Sequence, residues 1–294
     1  TASGTASSSR TGGGLASGPS RSMETGGAVR TGVDWHPASP KAANRTSSHV
    51  CLPLFSAAMT PSAMTTYVFP PEPQPAVSVR GTAARYAVNR IFCVGRNYAE
   101  HAKEMGNDTR EPPFYFSKPA VALTPSGATV PYACATQDLH HEVELVIALG
   151  LPVFRVTPEA ARAAIWGYGV GLDMTRRDLQ GQAKKMGRPW DTGKGFDHSA
   201  ILGELVRVAD CGYLTRGAIT LDVNGQQRQQ GDLADMIWNP AEIVANLSQL
   251  YHLKAGDLIY TGTPAGVGPV VAGDVLHGRV EGVGEVMLTL GPAE

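Results

Sequence analysis

The stretch "HEVELVIALG", His141 to Gly150, constrains the fold more than any other segment of the chain. Its branched apolar residues, its length and the stop at Gly150 and Pro152 predict a β-strand rather than a helix. Side chains alternate across a strand, so Glu142 and Glu144 share one face while Val143 and Leu145 point to the other. Two like charges on one face repel, and burial costs each on the order of several kcal/mol unless a cation or a proton compensates it. A divalent ion would compensate both. A solvated edge strand with both glutamates facing water has the same spacing, and spacing alone does not separate the two.

The remainder breaks into short elements of both kinds. "NRIFCVG" reads as a strand, "NYAEHAKEMG" has helical spacing and a glycine stop, and "TPEAARAAIWGYGVGLDMT" reads as a capped helix running into a strand. "AITLDVNGQQRQQG" predicts a hairpin with an Asn-Gly turn, "NPAEIVANLSQLYH" a helix, and the C-terminal part a series of Gly-rich short strands. This is an α+β pattern around one core, without a repeat of fixed period. Residues 1–62, dominated by Gly, Ser, Thr and Ala, lack apolar periodicity and are expected to be a disordered or extraneous leader, with a single catalytic domain over 63–294.

Composition narrows the function classes. With 294 residues, 43% hydrophobic and 17% charged, and a formal net charge of −1, the chain can bury a substantial core and shows no bias toward nucleic acid or anionic membrane. No apolar run approaches the ~20 residues of a spanning helix, and no basic stretch followed by an apolar core stands at the N-terminal end. A soluble, cytoplasmic protein is expected. Cys51, Cys93, Cys134 and Cys211 form no CxxC pair, which argues against a zinc knuckle or a disulfide framework and for reduced, mostly buried thiols. "GTPAGVG" lacks Walker spacing and "GYGVGLD" lies within a strand, so both read as tight Gly-rich turns or packing rather than nucleotide loops. Neither HExxH nor GxSxG occurs.

Several polar residues stand where folding alone does not ask for them. Asp173 ends an apolar strand. Lys194 lies between two glycines beside Trp190, and the following Asp197 and His198 suggest a pocket wall, though a solvent loop has the same sequence. His101 and Glu104, three apart on a helical stretch, can face each other as a general base and its orienting partner, or form an ordinary exposed pair.

From about Asn89 to Leu290 the chain resembles the fumarylacetoacetate hydrolase family, on "GRNYAEHAKE", "FSKP", "HEVELVI", "GYGVGLDMTRRDLQ", "WDTGKGFD", "NPAEIVANLS" and "GDLIYTGTPAGVGP" in that order. The resemblance implies a mixed β-roll with short helices and a lid segment, commonly a homodimer. It implies Glu142, Glu144 and Asp173 as ligands of one Mg²⁺ or Mn²⁺, which suits three carboxylate oxygens better than zinc or copper would. It further implies His101 and Glu104 as the water-activating dyad, Lys194 near the metal, Gln180 at the reacting carbonyl, and Arg96, Tyr115 and Thr263 around the substrate. The expected substrate is a small 2-oxo acid, foremost an acylpyruvate such as 3-fumarylpyruvate cleaved by hydrolysis of a C–C bond. Oxaloacetate decarboxylation or a hydroxymuconate-type isomerisation is the alternative within the family, and a non-catalytic metal-binding or ligand-binding module a remote one.

Overall fold

The computed structural model describes residues 66–98 and 111–294, so the expected leader and the His101–Glu104 dyad lie outside the described residues. Thr66–Glu294 forms one compact unit. Its largest sheet has a continuous path in the order Phe114–Lys118, Arg90–Gly95, Asp257–Tyr260, Val143–Leu149, Ile165–Asp173, Ala200–Leu202, Leu123–Pro125, and Val206–Arg207 also pairs with Ile165–Asp173. The pairing is mixed. Asp257–Tyr260 runs parallel to Arg90–Gly95 and antiparallel to Val143–Leu149.

Val143–Leu149 is hydrogen-bonded on both sides, so the edge-strand reading is excluded. Both faces are covered, as a near-continuous apolar run requires. Leu145, Ile147 and Leu149 enter one core with Ile219, Leu221, Leu276 and Leu288 of a second sheet, Gln226–Asp232, Ala218–Val223, Val275–Val280, Gly284–Ala293 and Ala128–Tyr132 in that order. Val146 and Ala148 enter another core with Ile91, Cys93, Leu258 and Tyr260. Glu142 and Glu144 share the parity of Val146 and Ala148, so they extend the second face beyond its apolar part.

Local signals account for the other elements. Thr157 caps the helix Pro158–Ala164, which leads directly into Ile165–Asp173. Asn224 and Gly225 both adopt positive φ (53° and 73°), the type I′ geometry that closes the expected hairpin. Asn239 and Glu242 form a capping box at the start of the helix Pro240–Leu250. In "GYGVG" each glycine meets close packing: a Cβ on Gly171 would lie 2.6 Å from the Tyr260 ring and 2.7 Å from Val146. Among the described cysteines Cys93 is buried, Cys134 exposed and Cys211 intermediate, all unpaired, so the expectation of mostly buried thiols holds for Cys93 alone. No helix among the described residues is long and apolar enough to cross a membrane.

Candidate active site

The two central strands deliver the acidic cluster. Gly171 lies opposite Glu144 in the antiparallel pair, and the Asp173 amide donates to the Glu142 carbonyl at 2.8 Å. Asp173 therefore stands across from Glu142, while the position facing Glu144 has no side chain. One carboxylate oxygen each of Glu142, Glu144 and Asp173 lies within 4.8 Å of the others, and all three residues are buried.

Cations of the chain meet two of the three. Lys194 Nζ donates to Glu142 Oε2 at 2.9 Å and to Asp173 Oδ2 at 2.7 Å. Lys118 Nζ reaches Asp173 Oδ1 at 2.8 Å and donates to the Met174 carbonyl at 3.2 Å and to the Lys194 carbonyl. Arg177 pairs with Glu142 Oε1 and donates to Gln180 Oε1 at 2.6 Å. Burial by itself would raise the Glu142 carboxyl, but Lys194 and Arg177 outweigh it and hold the group down at about 2. Burial likewise opposes the Lys194 charge, and Asp173 and Glu142 overcome it and raise its pKa.

Glu144 is the exception. Its Oε2 accepts from the Gly262 amide at 2.7 Å, and among the described residues no cation pairs with its carboxylate. Burial first, then the Asp173 and Glu142 charges, push its pKa well above the usual carboxylate range. A cluster of three carboxylate oxygens with one member left uncompensated fits a hard divalent cation, with Glu142, Glu144 and Asp173 as its ligands.

A small cavity of about 70 Å³ opens above this floor. The match to known proteins decides the family. Residues 90–290 fit the fumarylacetoacetate (FAA) hydrolase C-terminal family. The chain belongs to the fumarylacetoacetate hydrolase family. It is 53% identical over 184 residues to fumarylpyruvate hydrolase of a Ralstonia species, covering 63% of this chain and 95% of that protein. With oxaloacetate tautomerase YcgM of Escherichia coli it shares 43% identity over 204 residues, 69% of this chain and 93% of the relative. The crystal structure of fumarylpyruvate hydrolase from Pseudomonas aeruginosa in complex with Mn²⁺ and pyruvate superposes with a TM-score of 0.75 at 44% identity, covering 77% of this chain and all of that one.

The remaining residues singled out from this family's pattern fall unevenly. Gln180, Arg96 and Thr263 line the cavity with Lys194. The Thr263 hydroxyl is already engaged, donating to the Val143 carbonyl at 2.8 Å and accepting from Gln229 at 2.8 Å. Tyr115, expected around the substrate, does not line the cavity. Its hydroxyl donates to Asn246 Oδ1 at 2.9 Å, on the helix Pro240–Leu250. The reason is strand parity: Phe114 and Phe116 take the cavity face and Tyr115 the opposite one. Asp197 and His198, suggested as a pocket wall, are exposed, and the His198 ring meets Thr124 Oγ1 at 2.9 Å instead. Lys194 itself is 2% exposed on the one-turn helix Asp191–Lys194. Gly193 there is a close-packing residue, since a Cβ would lie 2.8 Å from the Gln180 amide nitrogen.

Three contributors carry no role in the sequence reading. Lys118 and Arg177 lie inside quoted motifs, yet nothing local distinguishes them. Gln229 lies on the hairpin of the second sheet. Its Oε1 accepts from the Val143 amide at 3.0 Å, so the other contact to that oxygen, His141 Nδ1 at 2.9 Å, is a donor. Its Nε2 donates to Thr263 Oγ1 and, at 3.0 Å, to the Pro264 carbonyl. One buried amide thus ties the strand of the two glutamates to the loop whose Gly262 amide holds Glu144. Burial lowers the His141 pKa, which favours the neutral ring.

Proposed function

We propose that the chain hydrolyses the C–C bond of an acylpyruvate in a divalent-metal-dependent reaction, with 3-fumarylpyruvate cleaved to fumarate and pyruvate. The observation that carries this reading is the buried, oxygen-only triad Glu142, Glu144 and Asp173 with Lys194 against it. The 44% identity to a fumarylpyruvate hydrolase solved with Mn²⁺ and pyruvate supports it. Bound by the triad, Mg²⁺ or Mn²⁺ would supply a Lewis acid for the 2-oxo acid end of the substrate.

The roles of the chain's own groups follow from their partners. Lys194 Nζ is held charged between Glu142 and Asp173, a fixed positive end for negative charge developing on the pyruvyl fragment. Gln180 Oε1 is taken by Arg177, which leaves its amide hydrogens to donate to a substrate carbonyl. The resemblance gives the water-activating step to His101 with Glu104 as its partner. Water adds to the carbonyl distal to the 2-oxo acid, its proton passing to His101. The C–C bond then breaks with its electron pair on the pyruvyl fragment, and protonation of that carbon yields pyruvate. A homodimer in the cytoplasm belongs to the same proposal.

The 43% identity to an oxaloacetate tautomerase favours a second reading, enolate chemistry on oxaloacetate without attacking water. Purified protein is assayed with Mg²⁺ or Mn²⁺, and with EDTA, against fumarylpyruvate, acetylpyruvate and oxaloacetate. Metal-dependent release of pyruvate from the acylpyruvates is expected. His101→Ala should lower that cleavage by on the order of 10²–10⁴-fold, as for a general base, while sparing oxaloacetate decarboxylation or tautomerisation. Turnover of oxaloacetate alone would replace the hydrolase reading with the second one.

A further inference from the structure

The cations around the cavity fall into two sets. Lys118, Lys194 and Arg177 are committed to Glu142 and Asp173 at the floor. Lys184 and Arg96 also line the cavity, and among the described residues neither meets a carboxylate. Arg177, Gln180 and Lys184 recur at helical spacing on one face of Arg177–Lys185. Seven residues of helix rise about 10 Å, so this face runs from the floor, where Arg177 holds Glu142, out to an exposed ammonium.

Another part of the cavity lining is a run of aromatic rings. Lys194 Nζ lies 5.0 Å from the Phe116 ring, Phe116 is 5.7 Å from Trp190, Trp190 meets Phe114 edge-on at 5.3 Å, and the Arg96 guanidinium lies 5.5 Å from the Phe114 ring. Phe114 stays there because Gly95 has no side chain; a Cβ would lie 1.9 Å from the ring. Arg96 adopts φ of +56°, a left-handed conformation that costs a non-glycine residue about 1 kcal/mol. Such strain persists where surrounding structure holds a side chain to a task.

We propose that Lys184 and Arg96 form a subsite for a second carboxylate at the far end of the substrate, with the Phe116–Trp190–Phe114 wall supporting a flat chain in between. The subsite rests on the hydrolase reading for its chemistry, and it makes the preferred substrate a dianion. A monoanionic acylpyruvate would engage the floor alone and give both outer cations no carboxylate beyond those of the described residues, which do not reach them.

Fumarylpyruvate and crotonoylpyruvate are a matched pair, equal in chain length and unsaturation, with a carboxylate exchanged for a methyl. The wild type should favour fumarylpyruvate in kcat/KM by about 10- to 100-fold, the range of one charge-assisted hydrogen bond. In Lys184→Gln that ratio should collapse toward unity, in Lys184→Glu invert, and in Lys184→Arg persist. Binding of fumarate and crotonate to the metal-loaded protein, followed calorimetrically, gives the same contrast without turnover. A wild type that cleaves neither acylpyruvate but binds fumarate in a Lys184-dependent way retains the subsite and sinks the hydrolase reading. Equal handling of both members of each pair, or a ratio untouched by Lys184→Glu, overturns the subsite.

Discussion

The floor and the mouth of one cavity use charge in opposite ways. At the floor, carboxylates and cations are buried together and interlocked: Lys194 bridges Glu142 and Asp173, Lys118 backs Asp173, and Arg177 backs Glu142. At the mouth, Lys184 is exposed and Arg96 half-buried, and neither meets a carboxylate among the described residues. The difference follows from solvation. A buried charge without a partner costs several kcal/mol, so the fold must supply one, whereas a hydrated charge at the rim costs almost nothing and stays available. Glu144 breaks the pattern at the floor, being buried without a cation partner among the described residues, and that is where a metal ion would complete the arrangement.

Breaking the floor should have the largest effect. Asp173→Asn keeps the shape and removes a charged ligand, so metal affinity measured by calorimetry should fall by on the order of 10²-fold or more, with activity following metal occupancy. Full activity of this variant in EDTA would remove Asp173 from the ligand set. Next comes Lys118→Met, which strips Asp173 of one buried cation; metal-free protein should lose about 3–5 kcal/mol in denaturant unfolding, with part recovered on adding Mn²⁺. A neutral result would mean that Lys194 alone suffices.

Gln229→Leu should cost about 1–3 kcal/mol by taking their buried partner from the Val143 amide, the His141 Nδ1–H and the Pro264 carbonyl. Because the loop it ties also holds Glu144, metal affinity should weaken with stability, and Gln229→Glu should restore neither. Stability lost with metal affinity unchanged would confine Gln229 to a structural part.

The smallest effect sharpens the Glu144 exception. Its raised pKa means that the metal-free native state binds a proton more tightly than the unfolded chain does. That contribution to stability is full below the unfolded pKa and is lost as pH rises through the raised one. Metal binding should then displace about one proton in the pH range between the two values, visible as an enthalpy that changes with the ionisation heat of the buffer. A buffer-independent enthalpy there would place Glu144 ionised before the metal arrives.

Elements whose signal is local were legible in the chain. The period and composition of Val143–Leu149, the Thr157 and Asn239 caps and the Asn224–Gly225 turn each depend on residues a few positions apart. The family motifs likewise marked Glu142, Glu144, Asp173 and Lys194 before any fold was known. A motif names a neighbourhood, while strand parity decides that Phe114 and Phe116, rather than Tyr115, face the cavity.

By itself, then, the sequence determined several of the strands and helices and that two glutamates share a face, since those are short-range consequences of backbone geometry, while the helix Arg177–Lys185 and the strand Phe114–Lys118 carried no such signal. Only the tertiary structure decided that this face is buried, because burial depends on Asp257–Tyr260 and Ile165–Asp173 pairing on either side of the strand. It alone brought Lys118, on the same strand face as Phe114 and Phe116, against Asp173, and carried Gln229 across from the second sheet to His141, Val143 and Thr263. Contacts between residues far apart in the chain are set by register and sheet packing, and no local pattern encodes which cation will neutralise which carboxylate.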